Sequence, residues 1–320
     1  MATDEDRVRD ASPFQRRKQG DENRADDQDR ICYSDRMTNI DQFESVFKSA
    51  DKVQFELKPV EFEHALFVTD IDLDASKSFS ERVGGYLDVL CDLSRQQKSY
   101  ASREDYNTVS SLLQKIADLG PDLVVTYRNL NVPAGEYPYS LGMYLDVLTQ
   151  ATKLPILVFP EPTSDWEPSS PALSQVMAMT DHITKENHLI NIAARCTRPG
   201  GNLWLTHVED EATLQRYLKI IGKIPELDTD VARQAIPNQL LKESHDYIHS
   251  CREQLLAAEF KITVEEEIVV GHHLSDYRRL IDEHSVDLLV MNAKDDEQLA
   301  MHGQAYPLSI EFRKLPILLL

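Results

Sequence analysis

Two histidines of this sequence have a spacing that metalloenzymes use. His245 and His249 lie four residues apart with Asp246 between them, so a helix would place both imidazoles on one face, as in the zinc motif H-E-x-x-H. The aspartate is one methylene shorter than the glutamate base of that motif, and the sequence shows no recognisable third ligand. His272 and His273 are adjacent, and adjacent side chains diverge at a strand end. We therefore expect solvated histidines, no bound metal and no catalytic residue among them.

Two aspartates occupy positions typical of ligand contacts in α/β proteins. Asp70 follows the apolar stretch 65–69, and Asp181 follows the stretch 176–180. A continuous apolar run of this length is typical of a buried parallel strand, and open α/β sheets bind ligands at the carboxyl ends of their strands. A carboxylate at such an end can contact a ligand or cap the helix that follows. The sequence leaves both roles open.

Glycine is scarce, and this limits the phosphate chemistry that the chain can support. The sequence has 11 glycines among 320 residues. None of them is spaced as G-x-G, as the G-x-x-x-x-G-K of a P-loop, or as the G-x-S-x-G of a hydrolase. The sequence therefore excludes the dinucleotide fingerprint, the P-loop and the nucleophile elbow.

The composition excludes several classes of partner. With 54 acidic and 34 basic residues the net charge is −20, which repels nucleic acid and anionic lipid. The longest apolar runs, such as 156–159 and 315–320, are far shorter than a membrane span. Four cysteines, at 32, 91, 196 and 251, form no C-x-x-C pair, and no apolar signal segment begins the chain. We expect a cytoplasmic protein with reduced thiols and without nucleic-acid or membrane partners.

Changes of composition divide the chain into four parts. Residues 1–38 mix acidic and basic side chains with few apolar ones, which predicts a disordered tail. Residues 161–172 are rich in proline and predict a linker. The parts 39–160 and 173–320 are predicted to form two domains in which strands and helices alternate. The predicted helices lie near 79–90, 109–119, 141–152, 184–197, 231–258 and 273–284, and the predicted strands at 65–69, 122–125, 155–159, 176–181, 203–208, 262–270, 287–291 and 316–320.

The two domains share short sequences in the same order. Lys-Leu-Pro-Ile-Leu occurs at 153–157 and again at 314–318, and a glycine precedes each proline by thirteen residues. Asp-Leu-Val-Val at 122–125 matches Asp-Leu-Leu-Val at 287–290. These matches predict two homologous α/β units in tandem. The interval from the strand-end aspartate to the final proline is about 50 residues shorter in the first unit than in the second.

The shorter unit should lack its second and third strands. Its first strand, 65–69, would then lie at an exposed edge, which is unfavourable for so apolar a segment. Alternating apolar residues at 53–57 predict a strand that covers this edge. The connection 58–64 is too short for a parallel crossover, so the added strand should run antiparallel to its neighbour. The final strands, 155–159 and 316–320, should pair about a pseudo-two-fold axis, because both would otherwise be open apolar edges.

The order of these motifs resembles the universal stress proteins, and in particular their tandem members. The resemblance covers about residues 64–320. The first unit matches only at its first, fourth and last strands, whereas the second matches at Thr180-Asp181, His207-Val208, Val270-Gly271, 287–290 and 316–319. The resemblance implies two doubly wound, mostly parallel open sheets, Rossmann-like and similar to the adenine nucleotide hydrolases, with strand order 3-2-1-4-5 and the first one shortened. Ligands are then expected where the strand order reverses, at strands 1 and 4.

ATP-binding members of that family hold phosphates on a glycine-rich loop that ends in Gly-Ser or Gly-Thr. Backbone N–H groups, a helix amino terminus and a hydroxyl bind the anion there. In the second unit the matching loop residues are Asn292, Asp295, Gly303 and Gln304, and the matching nucleoside contacts are Asp181 and Val208. In the first unit the matching residues are Asp70, Tyr127, Leu130, Gly142 and Met143. Both loops lack two glycines and the hydroxyl, so the resemblance implies a degenerate nucleotide-binding site.

These observations lead to one function hypothesis and one alternative. The hypothesis is a non-enzymatic tandem universal stress protein, a pseudo-dimer that acts in stress adaptation or regulation with an unknown protein partner and no cofactor. The alternative is an adenine-nucleotide sensor or slow ATPase that binds ATP or AMP in the second cleft. Asp295, Asp296 and Glu297, against a single Lys294, favour the first, because each carboxylate repels a triphosphate by about 1 to 4 kcal/mol at 4 Å.

Overall fold

The structure of this protein is a computed structural model. It describes residues 53–91, 97–132, 140–162, 164–180, 183–184, 186–223, 229–293 and 305–320, with the backbone alone for 229–235. Residues Val53–Leu320 form one compact unit. The tail predicted for 1–38 lies outside the described residues. In the described part, no helix combines the length and the apolar character needed to cross a membrane.

Strands and helices alternate along the described residues. In chain order they are β1 (His64–Val68), α1 (Leu73–Arg82), α2 (Gly84–Leu90), β2 (Gln97–Ala101), α3 (Val109–Leu119), β3 (Leu123–Tyr127), α4 (Met143–Ala151), β4 (Ile156–Phe159), β5 (Gln175–Met179), α5 (Asn187–Cys196), β6 (Asn202–Asp210), α6 (Glu211–Ile221), α7 (Thr229–Ala257), β7 (Thr263–Gly271), α8 (His273–Glu283), β8 (Leu288–Met291), α9 (Ala305–Glu311) and β9 (Ile317–Leu319). The sequence analysis misses β2 and α6, and it predicts α1 and α2 as one helix. Helix α3 has the bounds that the sequence predicts, because Thr108 caps its start and Gly120 ends it at a positive φ of 57°.

The nine strands of the described part form one sheet with the order β2-β1-β3-β4-β9-β8-β5-β6-β7. Neighbouring strands are parallel except β4 and β9, which are antiparallel. The half that contains β5 to β9 therefore has the expected 3-2-1-4-5 order, and the other half has the order β2-β1-β3-β4. The predicted α/β class with mostly parallel strands is confirmed. The sequence analysis expects two sheets. The structure has one continuous sheet, in which β4 of the first half pairs with β9 of the second.

The prediction for the edge of β1 is wrong. β1 pairs in parallel with β2 along its whole length, whereas residues 53–57 lie on helices α5 and α7. The sequence of β2 is Gln-Lys-Ser-Tyr-Ala, and a partly exposed edge strand of this composition has no apolar run to reveal it. The alternation at 53–57 arises because Phe55 is buried and both its neighbours are exposed, as in any extended segment that lies on a surface. Within the described residues the first half therefore has one strand fewer than the second, not two.

The repeated Asp-Leu motif has a structural role. The Asp122 carboxylate accepts hydrogen bonds from the backbone N–H groups of residues 63–64 at 2.7 and 3.1 Å. The Asp287 carboxylate accepts hydrogen bonds from the N–H groups of residues 174–175 at 2.8 and 3.1 Å. Each aspartate precedes one strand and binds the start of the strand beside it. The motif thus fixes β1 against β3 and β5 against β8.

The two half-sheets join through β4 and β9. Leu157 lies opposite Leu318 at the centre of three antiparallel residue pairs, and all six side chains are at most 2% exposed. Beyond β3, the buried Arg128 guanidinium donates to the carbonyl oxygen of Phe312 at 3.0 Å and to that of Ser309. Burial lowers the pKa of Arg128 to about 9. Arg128 therefore caps the end of α9 and adds a polar contact to an apolar junction.

The segment predicted as a linker, 161–172, packs on the first half. The Trp166 ring lies 5.6 Å from the Phe159 ring, and the Arg82 guanidinium lies 5.7 Å from the centre of the Trp166 ring. Arg82 also donates to the carbonyl oxygen of Pro162 at 3.2 Å. The proline-rich composition therefore does not prevent ordered packing of the described residues in this segment.

The pairing of β4 with β9 predicts slow amide exchange at the junction. Ladder hydrogen bonds and buried side chains at 156–158 and 317–319 keep water from these amides, so they should exchange only when the whole sheet opens. Native-state hydrogen exchange should give these residues the same protection as β1 and β5. Fast exchange at the junction together with slow exchange in β1 would contradict the pairing.

Burial gives Asp287 a measurable effect on stability at acidic pH. It raises the pKa of this carboxyl from 3.8 to about 6, although the N–H groups of residues 174–175 oppose the shift. The folded state then holds the proton more tightly than the unfolded chain, so this group should raise the free energy of unfolding as the pH falls from about 6 to about 4. Urea unfolding at several pH values should show this rise in unfolding free energy in the wild type. It should also appear in the control Asp282→Asn, which alters an exposed residue of α8. It should be missing in Asp287→Asn, and a pH-independent difference between wild type and Asp287→Asn would refute the shift.

Candidate functional site

The strand order reverses at two places, and sequence analysis predicts the ligand contacts at both. The reversal lies between β1 and β3 in the first half and between β5 and β8 in the second. Ligands of open α/β sheets bind in the crevice outside the carboxyl ends of such strands. Because β4 and β9 are antiparallel, the two sets of carboxyl ends face opposite edges of the sheet. The chain therefore presents two separate clefts.

In the first cleft, Asp70 makes its contacts within the chain. Its carboxylate accepts the backbone N–H of Asn131 at 2.7 Å and the hydroxyl of Tyr127. Its own backbone N–H donates to the Tyr127 hydroxyl at 3.2 Å. The cap of the following helix is Asp72, which accepts the N–H of Ala75 at 2.8 Å. Asp70 is therefore neither a helix cap nor a free ligand contact, and its carboxylate holds the loop after β3.

Three tyrosines fill the space around this carboxylate. Tyr106, Tyr127 and Tyr144 are 3 to 7% exposed, and the rings of Tyr106 and Tyr144 lie 5.8 Å apart. The Tyr106 hydroxyl donates to the carbonyl oxygen of Thr69 at 2.9 Å. Burial raises the pKa of Tyr106 and Tyr127, and the hydrogen bond to Asp70 raises that of Tyr127 further. These phenols therefore remain protonated hydrogen-bond donors at neutral pH.

The start of α4 is also covered by the loop after β3. Gly142 has a φ of 98°, and a Cβ at this position would lie 3.3 Å from the Cα of Asn129. The Gly142 N–H donates to the Ser140 hydroxyl at 2.9 Å, and Leu130 is fully buried. Met143, in place of the hydroxyl residue, is 60% exposed. This loop therefore packs against the helix terminus at which the family resemblance expects phosphates.

The second cleft is described only in part. Val208 is fully buried, and the Asn292 amide donates to the Glu186 carboxylate at 2.8 Å. The structure thus brings Asn292 to an acidic residue that sequence analysis does not single out. The predicted contacts Asp181, Asp295, Gly303 and Gln304 lie outside the described residues.

A cavity of about 400 Å³ lies at the carboxyl ends of β5 and β6, the edge at which the second cleft is predicted. The buried His207 lines it, with Nε2 3.3 Å from a carboxylate oxygen of Glu209. Sequence analysis names His207 as part of a motif but does not predict the wall from α6 and α7. Helices α6 and α7 provide aliphatic and aromatic walls. The walls include Tyr217, Ile220 and Leu240. The amphipathic pattern of α6, with Leu214 and Leu218 buried, is the signal from which the sequence could have indicated this wall.

The histidines that could have bound a metal have acidic neighbours, and the described cysteines are buried. His245 pairs with Glu266, and His249 lies 3.7 Å from Glu253. In the described ranges no three His, Cys, Asp or Glu side chains form a group that could hold a metal ion. Cys91, Cys196 and Cys251 are buried free thiols, and burial raises the pKa of Cys196 and Cys251. Cys32 lies outside the described residues.

Comparisons with known proteins give structural likenesses alone. No family model matches the sequence, and no curated protein matches it. A universal stress protein from Archaeoglobus fulgidus DSM 4304 is 13% identical, with a TM-score of 0.44 and coverage of 81% of this chain and 85% of that one. A proposed universal stress protein from Pseudomonas aeruginosa UCBPP-PA14 is 11% identical, with a TM-score of 0.47 and coverage of 81% and 93%. A functionally unknown protein from Pseudomonas aeruginosa PAO1 is 12% identical, with a TM-score of 0.43 and coverage of 81% and 92%.

The contact between Tyr127 and Asp70 predicts a loss of stability when the hydroxyl is removed. Tyr127→Phe leaves the Asp70 carboxylate with one fewer donor in a half-buried site, which should cost about 1 to 3 kcal/mol of unfolding free energy. Tyr217→Phe is the matched control, because Tyr217 is 50% exposed. Equal urea midpoints for Tyr127→Phe and wild type would show that the hydroxyl does not hold the loop.

Proposed function

We propose that this chain is a non-enzymatic tandem protein of the universal stress type, in which two unequal copies pair about a pseudo-two-fold axis through β4 and β9. In this proposal the nucleotide clefts have lost the family's ATP binding. The protein acts in stress adaptation or regulation in the cytoplasm, through a protein partner. The sequence repeats and the order of β5 to β9 support the two-copy architecture.

The observation that carries the proposal is that the strand-end carboxylate of the first cleft is already bound within the chain. Asp70 is in the position of a nucleoside contact, yet its carboxylate is bound by Tyr127 and Asn131. Tyr127 stands where the family has a glycine, so a side chain replaces the bare backbone that binds phosphate in ATP-binding members. A nucleotide that contacts Asp70 would have to break these hydrogen bonds. We infer that no nucleotide binds there.

The acidic residues of the second cleft also disfavour nucleotide binding. By the family resemblance, Asp295, Asp296 and Glu297 align with the loop that holds a triphosphate. Among the described residues, Glu186 is bonded to Asn292. Carboxylates aligned with a phosphate loop disfavour an anionic ligand.

The alternative function uses this second cleft. The half that contains β5 to β9 keeps the full strand order, and Val208 and Gly303 match residues of nucleotide-binding members. A sensor of adenine nucleotides, or a slow ATPase, would need these features.

A calorimetric titration distinguishes the two functions. Titrations with ATP, AMP and adenosine, each with and without magnesium, should show no saturable binding at micromolar concentration. Saturable micromolar binding of any of the three, or ATP that stays bound through purification, would overturn the proposal in favour of the alternative.

A variant with a restored loop serves as the positive control. Asn292→Gly, Asp295→Gly and Gln304→Ser together return the glycines and the hydroxyl to the second loop, and they also remove one carboxylate. We expect this triple variant to bind ATP at least tenfold more tightly than the wild type. A triple variant that binds no better would show that the loop residues are not what prevents binding.

A further inference from the structure

An extended segment of the chain lies in a groove between two helices. Residues 53–58, here called the strap, precede β1 and belong to no helix or strand. They lie between α5 and α7, and this surface is here called the strap groove. Because the strap is not part of the sheet, its backbone groups need other partners.

Side chains of the two helices supply those partners. They are Ser250 and Gln254 on α7 and Asn187 and Asn191 on α5, and each pair is separated by about one helical turn. Successive N–H groups of an extended chain point to opposite sides. Accordingly, the N–H groups of residues 55 and 57 donate to α7 at 2.9 and 3.4 Å, and those of residues 56 and 58 donate to α5 at 3.0 and 2.9 Å.

The same amides also bind carbonyl oxygens of the strap. The Asn191 amide donates to the carbonyl oxygen of Glu56 at 3.0 Å, and the Gln254 amide donates to that of Phe55. Asn191 and Gln254 therefore each bind a donor and an acceptor of the extended backbone. Recognition of this kind depends on the main chain, so it tolerates different side chains.

One side chain of the strap is an anchor. Phe55 is 1% exposed and packs edge to face on Tyr247, with ring centroids 6.5 Å apart. The Tyr247 hydroxyl donates to Asn187 at 2.8 Å, which orients one of the residues that bind the backbone. Gln54, Glu56 and Lys58 are exposed. The groove thus specifies an aromatic residue at one position and accepts varied residues beside it.

A cavity of about 870 Å³ adjoins the carboxyl end of the strap. Residues 57–63 of the chain form one wall, and α5 from Asn191 to Arg195 and the segment 260–262 also line it. A peptide with a bulkier residue after its anchor therefore has space beside the strap groove.

We propose that the strap groove is a binding site for extended peptides that carry one aromatic anchor, and that the strap occupies it in cis until such a peptide displaces it. The tethered strap competes at an effective concentration in the millimolar range. It therefore lowers the apparent affinity for a peptide in trans. The strap residues touch none of the predicted nucleotide contacts that the structure describes, and the proposal does not depend on whether ATP binds.

The test uses the full chain and a fluorescent peptide that copies residues 50–60. Phe55→Ala removes the anchor of the tethered strap, so fluorescence anisotropy should show at least tenfold tighter peptide binding by this variant than by the wild type. A peptide with alanine in place of its phenylalanine should bind at least tenfold more weakly. If Phe55→Ala does not fold, as judged by circular dichroism, Phe55→Leu is used in the same way.

A pair of neighbouring residues on α7 distinguishes groove binding from nonspecific adsorption. Adding Gln254→Ala to the anchor variant should weaken peptide binding at least tenfold, whereas adding Glu253→Ala, an exposed residue beside it, should leave binding unchanged. Equal binding by the two double variants would overturn the proposal. Absence of binding by a folded anchor variant would overturn it as well, whatever the ATP titration shows.

Discussion

The final strand of each half-sheet is apolar on both faces, and a strand of this kind is unstable at an open edge. β4 and β9 remove both edges by pairing with each other. The pairing is antiparallel, so the strands of the two halves run in opposite directions and their carboxyl ends face opposite edges of the sheet. The separation of the two clefts follows from this contact. So does the role of Arg128, which crosses the junction to bind carbonyl oxygens at the end of α9.

The unequal size of the halves affects the surface more than the core. Among the residues that the structure describes, the first half has no strand in the position of β7 and no helices in the positions of α6 and α7, and the polar strand β2 forms its edge. The strap runs from the amino end of this smaller half onto α5 and α7 of the larger one. Side-chain amides replace the strand partner that the strap does not have. The proposed peptide site is thus a consequence of an extended segment held outside the sheet.

In the first cleft, an aspartate at a strand end has a structural role. Asp70 remains at the end of β1, but hydrogen bonds from Tyr127 and Asn131 use its carboxylate to hold a loop. Tyr127, which donates to this carboxylate, is itself buried. Asp122 and Asp287 also have structural roles, because each binds the start of a neighbouring strand. Three aspartates next to strands of this chain therefore stabilise the fold.

The sequence by itself determined the elements with strong local signals. Apolar runs marked β1, β3, β4, β5 and β8, and capping residues fixed the bounds of α3, because burial on both faces and unpaired helix termini restrict the residues allowed there. The strand order of the second half followed from the family resemblance of these motifs and not from any single local pattern. Only the tertiary structure decided where residues 53–57 lie, that β2 exists, and that Tyr127 closes on Asp70. Each of these depends on a partner distant in the chain, and an exposed strand or an alternating segment has the same local pattern whichever partner it finds.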